Sequence, residues 1–183
     1  QTLEELAEDY YAAGLYDKSE EIFKKLIDIK NHRNSSLSKL IKIYEYTCEW
    51  DKALSTIKKL SGIDPSNEQK KNIPHYLCQI SEKYIIKNDL AKAELYIDKA
   101  KATKSSSSRI LFVSIQIAIK KGDLLKAIEL YNKLCETSDL GHQILLPDLI
   151  TTAKHNGQIN QVNGMMQHIY DNSSKAKKYL ALL

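Results

Sequence analysis

The feature that most limits what this chain can become is a ten-residue pattern that returns along its length. "GLYDKSEEIF" from Gly14 is echoed by "CEWDKALSTI" from Cys48, "NDLAKAELYI" from Asn88, "GDLLKAIELY" from Gly122 and "GQINQVNGMM" from Gly157. The starts are spaced by 34, 40, 34 and 35 residues. A period in this range marks one supersecondary unit that must stack on copies of itself, because a single copy cannot bury its own apolar stripe.

Each copy reads as two helices around a tight turn. The first slot needs a residue that ends a helix in the left-handed region. Gly14, Gly122 and Gly157 do this without steric cost, Asn88 tolerates it, and Cys48 is the weakest fit. Two places on, Tyr16, Trp50, Leu90, Leu124 and Ile159 supply a large apolar group for the wedge between the helices. Three further on, Ser19, Ala53, Ala93, Ala127 and Val162 sit where the helices approach closely and small side chains are needed, Val162 fitting least well. A period near 34 with this pattern is that of the tetratricopeptide unit. The expected fold is all-α, a right-handed superhelical solenoid of about five such repeats forming one domain over 1–183. The repeats fall at approximately 1–33, 35–66, 73–104, 108–139 and 143–172, and 173–183 begins a further or capping helix.

Helical spacing fills in the rest. Leu3, Leu6 and Tyr10, then Leu37, Leu40, Ile41 and Tyr44, then Leu77, Ile80 and Tyr84, then Leu111, Ile115 and Ala118 form a stripe predicted to be buried on the first helix of each copy, helix A. Pro65 falls where the second helix, helix B, should end. The longer second interval places six extra residues in "SNEQKKNI", which either extend the next helix with Pro74 as a kink or form a loop. "KSSSSR", residues 104–109, is a polar link with a cap for the next helix. In the tail "SSKAKKYLALL", Tyr179, Leu180, Leu182 and Leu183 have no following partner, which points to a further repeat, another molecule or a homodimer through this helix.

Composition excludes several function classes. The charge of +4, with 27 basic residues interspersed among 23 acidic ones, does not call for nucleic acid or a lipid surface. No apolar run reaches the length of about eighteen residues needed for a span, so any membrane contact is expected through a segment outside this chain. A start at Gln1 fits a piece of a longer protein. Cys48, Cys78 and Cys135 are scattered, as expected for free thiols in a reducing compartment. There is no HExxH, GxSxG or phosphate-cradling loop, and His75 with Cys78 makes only two ligands, too few for zinc. The reading is a binding protein, not an enzyme, with no cofactor in this segment.

In a stacked array helix A lines the concave side, so the face opposite its packing stripe forms the expected groove. Projection places Tyr11, Lys42, Tyr46, His75, Glu82, Arg109, Phe112, Gln116 and Lys120 there, with Glu4, Glu8 and Cys78 beside them. Glu8, Lys42 and Glu82 at one slot do not suit the clamp that holds an acidic chaperone tail. Tyr11, Tyr46 and Phe112 beside Lys42 and Arg109 suit a folded or helical protein partner.

"LAEDYYAAGLYDKSEEIF", "LIKIYEYTCEWDKAL", "PHYLCQIS" and "SSRILFVSIQIAIKKGDLLKAIELYNKL" resemble the lipopolysaccharide assembly protein B family of Gram-negative bacteria, through roughly residues 3 to 135. The resemblance implies an adaptor that brings the lipid A deacetylase to a membrane AAA protease. It also implies an anchor helix at the cytoplasmic face of the bacterial inner membrane and a rubredoxin-like module holding iron or zinc, both outside this chain. The residues leave two alternatives open: a general scaffold for an envelope or secretion complex, and the repeat arm of an N-acetylglucosaminyltransferase.

Overall fold

In a computed structural model of the chain, which describes residues 2–103, 105, 107–137 and 141–172, the five turns are built alike. Gly14, Cys48, Asn88, Gly122 and Gly157 take left-handed φ angles of 72°, 56°, 57°, 73° and 67°. The residue after each donates its N–H to the carbonyl five positions back: Leu15 to Tyr10 at 2.9 Å, Glu49 to Tyr44 at 2.8 Å, Asp89 to Tyr84 at 2.9 Å, Asp123 to Ala118 at 3.0 Å and Gln158 to Ala153 at 2.7 Å. That bond is the Schellman closure of a helix. Cys48 obeys it despite its Cβ, because the same bond and the packing on both sides fix the turn. The steric penalty there is on the order of 1–2 kcal/mol.

These turns join five helix pairs: α1 (Leu3–Ala12) to α2 (Tyr16–Leu26), α3 (Arg33–Tyr46) to α4 (Trp50–Ile63), α5 (Ile73–Ile86) to α6 (Leu90–Ala102), α7 (Ser108–Lys121) to α8 (Leu124–Thr137), and α9 (Gly141–His155) to α10 (Ile159–Asn172). Among the described residues no strand occurs. Tyr16, Trp50, Leu90, Leu124 and Ile159 each open their helix B. Local sequence sets the starts. Thr2 and Glu5 form a reciprocal capping box on α1, and Asp89, Ser107 and Asp123 cap α6, α7 and α8. The proposed helix at 173–183 lies outside the described residues.

The small slot is a close contact between the two helices of each pair. Ser19, Ala53, Ala93, Ala127 and Val162 are all buried. In the first and third pairs the hydroxyl has changed sides: Ser19 of α2 donates to the carbonyl of Ala7 in α1 at 2.9 Å, and Ser81 of α5 donates to the carbonyl of Ala93 in α6 at 2.8 Å. Either arrangement satisfies the buried hydroxyl and leaves an alanine opposite it. A second cross-brace recurs around the turn. Lys18, Lys52 and Lys92 lie 5.4 Å from the ring centres of Tyr10, Tyr44 and Tyr84, each pair straddling its turn residue by four positions on either side.

Packing divides the chain into two compact units, Gln1 to Ile80 and Ser81 onward, with the boundary inside α5. In the first unit, Phe23, Leu37, Leu40, Ile41, Ile57 and Leu60 form the interior. Leu3 departs from the predicted stripe: it is 54% exposed, whereas Leu37 at the corresponding slot of α3 is buried. The preceding hairpin covers α3, and among the described residues none covers α1.

The six extra residues become a 3-10 turn, Glu68–Asn72, and neither extend nor kink a helix. Pro74 enters in the first turn of α5, where a missing N–H is harmless. The insertion is absorbed as a slip. Glu4 to Ser35, Glu8 to Lys39 and Glu45 to Tyr76 are all side-chain contacts 31 residues apart, although the second repeat interval is six residues longer than the first. The start of α5 is therefore displaced about 9 Å along α3, and its first turn docks against the end of α3 and the start of α4. Tyr76 is buried there, its hydroxyl donating to Glu45 and its ring stacked 6.1 Å from Trp50.

In the second unit, Ile115, Ala118, Leu124, Ala127, Tyr131, Leu134, Leu145, Leu149, Ala153 and Val162 make one continuous apolar core across α7 to α10. Pro147 lies within α9, unremarked in the sequence pattern.

Candidate functional site

The residues predicted for the groove sit on the helix A faces of both units. In the first unit, α1 and α3 are joined by polar pairs: Glu4 with His32 Nδ1 at 2.8 Å and Glu8 with Lys39 Nζ at 2.6 Å. Near their ends, Tyr11, Tyr16 and Tyr46 form a three-ring cluster. Tyr16 and Tyr46 are stacked at 5.6 Å with planes 6° apart, and Tyr11 meets both edge-on at 5.8 and 6.1 Å. Lys39 lies 5.5 Å from the centre of the Tyr11 ring. Burial and the hydrogen bond with Tyr46 push the Tyr11 hydroxyl up to about 12, so it stays a neutral group across the physiological range. Tyr46 remains 66% exposed while held by two neighbours. Lys42, one turn earlier on α3, is exposed.

His75 is exposed, edge-on to the Trp50 ring at 5.6 Å. Cys78 does not share its face. It is buried, because Tyr76, Leu77 and Cys78 all turn inward where α5 docks. The His75 and Cys78 pairing considered from sequence is thereby excluded as a surface site.

Beneath this face a charged network joins three helices. Glu20 of α2 is nearly buried and accepts from Tyr44 Oη of α3 at 2.9 Å, with Lys24 Nζ at 2.6 Å and Lys52 Nζ of α4 at 3.6 Å. Burial alone would raise the Glu20 carboxyl. Hydrogen bonds from Lys24 and Tyr44 outweigh it and hold the group below the ordinary carboxylate value. The Tyr44 hydroxyl is pushed upward by burial and by donating to Glu20. This network is a structural fastener.

In the second unit, Glu82 of α5 and Arg109 of α7 are paired at 2.6 Å, and the Arg109 guanidinium lies over the Phe112 ring at 5.3 Å. Phe112 is half-buried against the core. Gln116 is half-buried with its Oε1 accepting no hydrogen bond, and Lys120 is exposed. The structure thus brings together Glu82, Arg109 and Phe112 in one unit and Tyr11 and Tyr46 in the other. Sequence projection missed Tyr16 and Lys39 as members of the tyrosine cluster. It also missed Ile86, 86% exposed at the slot of Tyr46 and Lys120, and Ile144, 70% exposed at the slot of His75 and Arg109. The same count back from Asn88 and Gly157 would have found both.

Among the described residues no three His, Cys, Asp or Glu side chains converge to hold a metal, and no helix is long and apolar enough to cross a membrane. What these faces offer is fixed aromatic and aliphatic surface rimmed by charge, which suits recognition.

No family model matches the chain. It is 32% identical over 127 residues to lipopolysaccharide assembly protein B of Escherichia coli (strain K12), an alignment covering 69% of this chain and 32% of that protein. It is 27% identical over 145 residues to the protein of the same name from Haemophilus influenzae, covering 79% of this chain and 36% of that one. The chain thus spans about a third of the length of the curated relatives that it matches. Among solved structures, a tetratricopeptide repeat protein from Parabacteroides merdae aligns over 94% of this chain and 64% of its own, at 15% identity and a TM-score of 0.47. With five helix hairpins closed by one turn design, the chain is a tetratricopeptide-repeat protein that resembles lipopolysaccharide assembly protein B.

Proposed function

We propose that this chain is a non-enzymatic protein-interaction scaffold in the regulation of lipopolysaccharide assembly, an adaptor that couples the lipid A deacetylase to a membrane AAA protease. The observation that carries this reading is Tyr46: a large ring left mostly in solvent yet fixed by Tyr16 and Tyr11, so that little side-chain freedom is lost when a partner covers it. Coupling two partners requires surfaces, because the rate gain comes from raising one partner's effective concentration beside the other. On this reading the parent protein acts at the cytoplasmic face of the inner membrane through an anchor, and carries iron or zinc in a separate module. No residue of this chain is assigned to that metal.

The test is a pull-down of each purified partner by the wild-type chain and by Tyr46→Asp. Loss of one partner with an unchanged melting curve supports the reading. Capture of neither partner by the wild-type chain rejects it, and undiminished capture by the variant transfers the contact to another face.

A further inference from the structure

Asparagine followed directly by glycine occurs twice in the chain, at Asn156 with Gly157 and at Asn163 with Gly164. The pair is chemically labile, because a glycine nitrogen has no neighbouring side chain to keep it from the asparagine Cγ. Both asparagines are exposed, so access to water does not distinguish them. The backbone does. Asn163 and Gly164 lie inside α10, and bringing nitrogen to Cγ there means breaking the helical ladder on both sides. Asn156 and Gly157 lie past the end of α9, in the turn. The Gly157 N–H is held only by the Lys154 carbonyl at 3.2 Å, the long end of the normal range. The Asn156 carboxamide makes no hydrogen bond among the described residues, so nothing anchors it away from that nitrogen. Helix ends also open at far lower free energy than helix interiors.

The reaction needs only water. The Gly157 nitrogen bonds to the Asn156 Cγ, the bond from Cγ to the carboxamide nitrogen breaks, and that nitrogen leaves as ammonia with the proton that Gly157 loses. Water then opens the succinimide at one carbonyl or the other, restoring the N–H and leaving a carboxylate. Opening on one side gives aspartate; opening on the other gives isoaspartate, in which the chain runs through the former side chain and is one carbon longer. The fifth turn has no room for that carbon. Gln158 closes α9 by donating to the Ala153 carbonyl at 2.7 Å, and Ala153 is buried in the core shared by α7 to α10. Asn156 Nδ2 also sits against the neighbouring turn, 3.7 Å from where a Cβ on Gly122 would lie. Lengthening the backbone at this point displaces Gln158 from its acceptor and loosens the last hairpin.

We propose that Asn156 is a site of spontaneous deamidation at which the second unit ages, ahead of Asn163. The experiment incubates the full chain at mildly alkaline pH, folded or in unfolding guanidinium chloride, and maps peptides by mass spectrometry that resolves asparagine, aspartate and isoaspartate. In the folded chain Asn156 should convert at least about tenfold faster than Asn163, and in the unfolded chain the two rates should agree within about threefold, since only the folded backbone separates them. Equal or faster conversion at Asn163 in the folded chain overturns the proposal. So does an Asn156 left intact when the unfolded chain has reacted at both sites, or a tenfold preference that persists in guanidinium, which would assign it to flanking residues. The consequence is read by thermal melting. Aged wild type should melt lower than fresh protein, whereas aged Asn156→Gln should be unchanged, because glutamine closes its larger ring far more slowly. An equal fall in both, or none in either, also overturns the proposal. Tyr46 lies in the other unit and takes no part in the reaction, so failure here leaves the scaffold reading standing.

Discussion

The two units solve the same stacking problem with different chemistry. From α1 to the start of α5, an apolar interior of Phe23, Leu37, Leu40, Ile41, Ile57 and Leu60 is supplemented by charge and aromatic contacts between neighbouring hairpins: Glu4 with His32, Glu8 with Lys39, Tyr44 and Lys52 converging on Glu20, and Tyr76 on Glu45. Across α7 to α10, the fastening is a continuous apolar core, with Tyr131 and Leu134 fully buried in it. Apolar burial involves no titrating group, whereas a buried carboxylate stabilises only while ionised and paired. The comparison teaches that one repeat geometry tolerates a buried charged network added to its apolar seam, provided that the turn and the small contact residue are kept.

The largest effect that would test this contrast is Leu149→Ala in the apolar core. It should lower unfolding free energy by about 2–5 kcal/mol, and by the same amount at pH 7 and pH 4 in urea titrations. A loss under about 1 kcal/mol would mean that the second unit is not held by this core. Next is Glu20→Gln, which keeps an acceptor for Tyr44 but removes the charge, and should cost about 1–2 kcal/mol at neutral pH. Because the folded carboxyl lies below its ordinary value of 4.5, its contribution is complete above that value and disappears as pH falls through the folded one. Wild type and variant should therefore converge in acid. Parallel curves down to the lowest pH would remove the charged seam from the comparison.

A third pair addresses what both units share. Gly122→Ala should cost about 1 kcal/mol from the left-handed backbone alone, since a Cβ there meets only Asn156 Nδ2 at an ordinary 3.7 Å. Cys48→Gly should cost nothing, as it removes the same penalty from the native chain. Destabilisation by Cys48→Gly comparable to Gly122→Ala would show that the thiol, not the turn, matters at that site. The smallest perturbation uses the thiols as reporters. Cys48 is exposed and should react first with a disulfide reagent at pH 8. Cys78 is buried in the first unit and should react only as that unit opens, while Cys135 in the second is partly buried and pushed up to about 11, so it should react more slowly than Cys48. Equal rates for all three would deny that burial sets this order.

Much of this was legible in the residues. The turn slot, the large residue opening helix B and the small buried one were each read from spacing, because they are local requirements of a hairpin. Even Cys48 followed the pattern against its own preference, since four better copies defined the geometry. The tyrosine and lysine pairs around three of the turns are also present as a regular spacing, but the helical periodicity of Tyr10, Tyr44 and Tyr84 points to the packing stripe and does not reveal the lysine above each ring. On the candidate faces, sequence placed Tyr11, Tyr46, Arg109 and Phe112 but could not tell that Arg109 is spent on Glu82 and Phe112, or that Cys78 turns inward. Those outcomes depend on which helix lies beside which, and by how much it has slid.

Period, helix class and turn conformation were thus determined by the chain itself, because each rests on interactions between residues a few positions apart. What only the tertiary structure decided is how each seam closes: the slip of α5 after the 3-10 turn, the buried carboxylate network of one unit, the apolar core of the other, and the rings left in solvent. The physical reason is that a longer interval between copies fixes only the amount of chain available. Whether that chain loops out or displaces a helix is settled by the packing of Tyr76 against Trp50 and Glu45, which lie far from it in sequence.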